Sequence, residues 1–104
     1  MQTEVLADSH AVAESAAEFI AAEARRRAAE RGRFVLAVSG GSTPAAMLRV
    51  LAGLAVPWDR VHVFQVDERV APLGDPARNL TKLHDCLLTH VPLRPEQVHA
   101  MPVD

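Results

Sequence analysis

Six consecutive residues, Ser39-Gly40-Gly41-Ser42-Thr43-Pro44, follow the apolar run Val35-Leu36-Ala37-Val38 and carry the types that a phosphate-binding turn needs. Glycines let the backbone approach an anion closely. A helix starting just after them would add unpaired N–H groups and the positive end of its dipole. Pro44 suits a first helical turn, where its missing N–H has no intrahelical partner, and this leaves Thr43 as the expected N-cap. The pattern is neither a Walker loop nor the three-glycine dinucleotide fingerprint, and alone it also fits a tight connection that binds nothing. A second group, Asp67-Glu68-Arg69, stands where the apolar run Val61–Val66 ends. A guanidinium donates paired hydrogen bonds to phosphate, and a carboxylate accepts from sugar hydroxyls or moves a proton. If the chain stays extended, Asp67 and Arg69 point to one side and Glu68 to the other. Such triplets are usually solvated turns. Their place after an apolar strand favours a site instead, because ligands of open parallel sheets bind outside the carboxyl ends of the strands.

The elements that would position these groups alternate along the chain. Thr3–Leu6 reads as a short strand. A helix from Ser9 to Arg31 follows, with Asp8 as N-cap, Gly32 just past its end, and Val12, Ala16, Phe19, Ile20 and Ala24 at helical spacing. Phe34–Ser39 is a nearly continuous apolar strand, as suits a sheet covered on both faces. Ala45–Ala52 gives a short helix and Val61–Val66 a third strand, with Trp58 as a packing anchor before it. Leu80–His90 forms a helix with Leu80, Leu83, Leu87 and Val91 on one side, and Val98–Met101 a last strand. This order predicts an α/β fold: a partial doubly wound, mostly parallel sheet with helices on both faces. A final strand so near the C-terminus leaves an unpaired edge and apolar area, which implies self-association, instability or a complementing segment. Asp75-Pro76 reads as a turn inside the site loop.

Ser39-Gly40-Gly41-Ser42-Thr43-Pro44, Trp58-Asp59 before a strand, and Asp67-Glu68-Arg69 followed by Pro72 and Asn79 together resemble the 6-phosphogluconolactonases. These belong to a wider group that includes the glucosamine-6-phosphate isomerases (deaminases). The resemblance runs over nearly the whole chain and implies a Rossmann-like fold and hydrolysis of 6-phosphogluconolactone to 6-phosphogluconate in the oxidative pentose phosphate pathway. It implies substrate or phosphate binding by Gly40, Gly41, Ser42, Thr43, Asp67, Glu68, Arg69 and Asn79, and no cofactor. Arg69 favours the lactonases, because the amino-sugar enzymes typically carry tyrosine there. Ala71 stands where a valine commonly precedes the proline, and Arg78 where a serine usually precedes the asparagine; Arg78 would add a cation near the site. Family members are roughly twice this length, so residues 1–104 correspond to the N-terminal portion of a single sugar-phosphate-binding domain. The family's catalytic histidine, in a later Gly-x-Asp-Gly-His segment, is expected outside this chain, which would leave it able to bind but catalytically incomplete. An amino-sugar phosphate isomerase, with Asp67 as proton-transfer residue, is the alternative. A sugar-phosphate sensor ranks third, because the first strand begins almost at Met1 and leaves no room for a DNA-binding segment.

Composition narrows the class without choosing a function. The 104 residues are 49% hydrophobic and 23% charged, with formal net charge −2, and contain no apolar run of membrane-spanning length. The mild acidity gives no footprint for nucleic acid, and Arg25-Arg26-Arg27 reads as a solvated helix face. His10, His62, His84, His90 and His99 lack the paired spacing of a zinc site, so no metal is expected. Cys86, the lone cysteine, reads as a packed thiol. With no secretory signal in view, a reducing cytoplasm is the expected compartment and a small-molecule sugar phosphate the expected partner.

Overall fold

A computed structural model describes residues 9–39, 42–68 and 72–102. The expected strand Thr3–Leu6 and the cap Asp8 lie outside the described residues. Helix α1 spans Ser9–Arg31, as the sequence predicts. It stops at Gly32, whose φ of 79° only glycine adopts at little cost, and whose N–H donates to the Ala28 carbonyl at 2.9 Å.

The face that α1 buries differs from the expected one. Ala13, Ala17, Ala21 and Ala24 are inaccessible, whereas Val12 and Phe19 are 40% and 67% exposed. Helix α2, Ser42–Ala52, packs along α1, and a stripe of alanines lets two helices approach where larger side chains would hold them apart. Of the expected α1 core, Ala24 is buried and Ile20 packs at its margin. On the outward side, hydrogen bonds from Arg26, reinforced by Arg27, hold the Glu23 carboxyl below its ordinary range, with partial desolvation opposing them. The arginine cluster is thus a solvated face, except that Arg25 also donates to the Ala55 carbonyl at 2.6 Å.

Three parallel strands, β1 (Phe34–Val38), β2 (Val61–Gln65) and β3 (Val98–His99), form a sheet in the order β1-β2-β3. Phe34 pairs with Val61 and Val38 with Gln65, and Val63 pairs with Val98. The α/β architecture and parallel sheet are those expected. Among the described residues, however, the helices cover one face of the sheet rather than both. Leu36, Val38, Val61 and Val63 share a core with Leu48, Leu51, Leu80, Leu83, Cys86 and Leu87 from the helices. On the other face Val35 and Phe64 are exposed, and so is Val66 just beyond β2. There His62 Nδ1 lies 3.0 Å from His99 Nε2, and the His99 ring stacks on Phe64. His62 is therefore paired on the open face and not a core residue.

Trp58 is buried at the start of a 3₁₀ turn, Trp58–Arg60, that leads into β2, in the anchoring role expected of it. Beneath it sits a residue the sequence reading passed over. Gln97, 1% exposed, donates from Nε2 to the carbonyls of both Trp58 and Val61 at 2.7 Å, and its Oε1 accepts the Arg94 N–H at 3.0 Å. This amide joins the entrances of β2 and β3. Strand β3 is shorter than the expected Val98–Met101 because the Met101 N–H goes to the Gln65 side-chain oxygen, at 2.8 Å, instead of to the ladder.

Gln97→Ala would remove the side-chain partner of two carbonyls and one N–H, although the Trp58 carbonyl keeps the Val61 N–H. Unmade buried hydrogen bonds cost about 1–3 kcal/mol each, partly relieved by water, so the variant is expected to lose about 2–4 kcal/mol. Denaturant unfolding measures this; a loss under about 1 kcal/mol would show that Gln97 does not tie the two strand entrances.

Candidate active site

Adjacent parallel strands place their carboxyl ends on one rim. Val38 and Gln65 are in register, and the Val66 N–H extends the ladder to the Val38 carbonyl at 2.8 Å. Ser39 and Asp67 therefore leave the sheet side by side. Helix α2 begins at Ser42, three residues before the expected start at Ala45. Thr43 lies inside the helix and is not its cap: the first turn leaves its N–H groups free of intrahelical partners, so Pro44 sits there without breaking anything. Gly40 and Gly41, like Arg69, lie outside the described residues, and Ser42 and Thr43 are placed by their backbone alone.

Glu68 is the residue whose position differs most from the sequence reading. Its side chain is wholly buried, 3.1 Å from the Nε of Arg78, which is itself 2% exposed. The two buried groups form an ion pair. The Glu68 carboxylate accepts the backbone N–H of Asn79 on Oε1 and that of Leu80 on Oε2, the latter at 3.0 Å, and the Gln65 side-chain amide at 2.9 Å. Glu68 thereby caps helix α3, Asn79–Leu83, from a distant point in the chain. The carboxylate expected at the site thus lies inside the fold at the start of α3. Arg78, expected as an extra cation near the site, is spent inside the fold on this carboxylate.

Asn79 joins the two expected site groups that remain. Its side-chain amide donates to the Asp67 carbonyl at 3.3 Å and to the Asp67 carboxylate at 3.2 Å, while Asp67 itself stays exposed. The approach to α3 is a tight turn, as Asp75-Pro76 predicts. Asp75 Oδ1 accepts the Ala77 N–H at 2.8 Å, its carbonyl accepts the Arg78 N–H at 2.9 Å and the Thr81 hydroxyl at 2.9 Å, and Gly74 turns the chain at φ 89°.

Past Leu83 the helix widens into one π-helical turn, His84–Leu88, with the Thr89 N–H bonded back to the His84 carbonyl at 3.1 Å. The buried Cys86 lies in this turn. Between the ends of β1 and β2 and the helices α2 and α3 is a small cleft of about 20 Å³, room for about one water, bordered among others by Ser39, Ala45, Gln65, Asn79, Lys82 and Cys86. The sequence reading missed Gln65 and Lys82. Gln65 was legible only as a polar residue inside an apolar strand, and Lys82 as a cation three residues after Asn79. No group of three or more His, Cys, Asp or Glu that would hold a metal ion occurs among the described residues. No described helix is long and apolar enough to cross a membrane.

The family "Glucosamine-6-phosphate isomerases/6-phosphogluconolactonase" matches residues 7–104. A 6-phosphogluconolactonase of Mycobacterium leprae is 37% identical over 101 residues, covering 95% of this chain and 41% of the relative. One from Streptomyces coelicolor is 38% identical over 98 residues, covering 90% and 38%. The crystal structure of 6-phosphogluconolactonase from Thermotoga maritima superposes with a TM-score of 0.86 at 25% identity, over 96% of this chain and 45% of that one. The chain thus spans about 40% of the length of the relatives it matches. With the parallel sheet and the rim that carries Asp67 and Asn79, these likenesses show that the chain belongs to the glucosamine-6-phosphate isomerase/6-phosphogluconolactonase family.

Proposed function

We propose that the protein hydrolyses 6-phosphogluconolactone to 6-phosphogluconate in the oxidative pentose phosphate pathway, and that this chain supplies the substrate-recognition rim. The observation that carries the reading is the side-by-side exit of Ser39 and Asp67 from paired parallel strands, next to a cleft lined by Asn79 and Gln65. In this reading Gly40, Gly41, Ser42 and Thr43 take the phosphate at the start of α2, and Arg69 adds a forked donor. Asp67, held by Asn79, faces the sugar hydroxyls, and Glu68 holds Asn79 in place. Asn79 thus acts on Asp67 as well as lining the cleft.

Opening a lactone needs an activated water and stabilisation of the carbonyl oxygen as charge develops on it. None of the groups on this rim is placed here as the base; a histidine in the remaining part of the relatives' length takes that role. The uncovered sheet face then receives further polypeptide, and no nucleic acid is involved. A reducing cytoplasm, with Cys86 a packed thiol, belongs to the same reading.

Two measurements test it. A positioned base contributes about 10²- to 10⁴-fold, so the 104-residue chain should bind 6-phosphogluconate saturably while lactone hydrolysis stays at the spontaneous rate. Turnover well above background would place the base inside these residues, and ammonia release from glucosamine 6-phosphate would favour the isomerase branch. Arg69→Ala should weaken 6-phosphogluconate binding by about tenfold, as expected for one charged hydrogen bond, with little change in unfolding midpoint. Unchanged affinity would remove Arg69 from the rim.

A further inference from the structure

Asp67 is exposed, and the Asn79 amide holds its carboxylate at 3.2 Å and its carbonyl at 3.3 Å. The aim of that amide depends on the first turn of α3, because Asn79 is the first residue of the helix. Arg78 stands just before it as the N-cap, with extended backbone (φ −73°, ψ 130°) and no side-chain cap hydrogen bond. Its side chain runs inward instead, 2% exposed, to within 3.1 Å of the Glu68 carboxylate. That carboxylate accepts the N–H groups of Asn79 and Leu80. Residue 78 is thus held twice, by its side chain at Glu68 and by its backbone N–H at the Asp75 carbonyl, 2.9 Å away. An apolar side chain of similar volume could fill the same space without taking a charge out of water. The geometry that the pair sets therefore accounts for it better than stability does.

We infer that Arg78 is a positioning residue for the sugar end of the site: acting through Glu68 and the first turn of α3, it aims the Asn79 amide and so fixes the Asp67 carboxylate toward the substrate hydroxyls. The inference rests on the function proposed above and adds to it a residue that touches no substrate. It also separates two kinds of recognition. In that reading the phosphate is taken at the start of α2, whereas the hydroxyls are met by Asp67, and Arg78 acts on the second alone.

The test is calorimetric titration of the 104-residue chain with 6-phosphogluconate and with inorganic phosphate, comparing wild type with Arg78→Met, Arg78→Lys and the double variant Glu68→Gln/Arg78→Met. The double variant removes both buried charges together, so it leaves neither unmatched and is expected to fold even where Arg78→Met does not. Circular dichroism checks this. Arg78→Met and the double variant are expected to weaken 6-phosphogluconate by about tenfold and to keep phosphate affinity within about twofold. Arg78→Lys, which keeps the charge without the planar fork, should recover part of the loss. In an Asp67→Ala background the double variant should cause no further loss, since its effect passes through Asp67. Unchanged 6-phosphogluconate affinity in the folded double variant would overturn the inference and leave the proposed function intact. Equal losses for both ligands, or failure of the double variant to fold, would do the same by assigning the pair to stability. A full additional loss on top of Asp67→Ala would overturn the route through Asp67. Absence of saturable 6-phosphogluconate binding by the wild type would overturn the functional reading, and this inference with it.

Discussion

The buried carboxylate of Glu68 is the constraint on which the rim depends. Taking an ion out of water costs several kcal/mol even after relaxation, and attraction to one opposite charge seldom repays that cost alone. Among the described residues Glu68 meets it with contacts that include the Arg78 guanidinium, two backbone N–H groups of the first turn of α3, and the Gln65 amide. Each contact ties a different piece of chain to the end of β2. Gln65 extends the connection further, because its oxygen holds the Met101 N–H just beyond β3. One carboxylate thus fixes where β2 ends, where α3 begins and how the chain leaves β3.

That arrangement divides the labour among charges adjacent in sequence. Asp67 and Glu68 leave the strand on opposite sides, as an extended chain requires. Only Asp67 remains exposed, with its carboxylate held by Asn79. Glu68 and Arg78 offset one another within the fold, so the electrostatic character of the cleft is left to groups at its mouth. A serine at position 78, as the family resemblance would have it, could not neutralise a buried carboxylate by charge. This chain uses an ion pair, and in doing so withdraws a cation that the sequence reading would have added to the site.

The sequence made the architecture legible where a single residue type has a single physical use. Gly32 marked the end of α1 because a left-handed residue is needed there, and Leu80, Leu83 and Leu87 marked by their spacing the buried face of α3 and of the π-helical turn that continues it. Legibility failed where packing chose between alternatives of similar hydrophobicity. On α1 the larger residues suggested the core face, yet close approach to α2 selected alanines at 13, 17, 21 and 24. It failed again where long-range hydrogen bonds decided the outcome. Nothing local to Gln97 tells that its amide holds two carbonyls more than thirty residues earlier. Nothing local to Glu68 tells that it caps a helix eleven residues later. The candidate site was therefore readable as a set of residues but not as a set of roles.

The open sheet face and the rim make different demands on the rest of the fold. Parallel sheets are normally covered on both sides, and here Val35, Phe64 and Val66 leave apolar surface uncovered among the described residues. The rim does not depend on that face. Its described parts come from Ser39 to Lys82, joined through the β1–β2 ladder, the Glu68 carboxylate and the Asn79 amide, all of them bonds among these segments. Binding geometry can therefore be set by a continuous stretch of chain around two strand ends. In the function proposed above, water activation calls for a base brought in from elsewhere. On the proposed function, recognition of a phosphorylated sugar is built into this portion of the family's fold and the chemistry is completed by another.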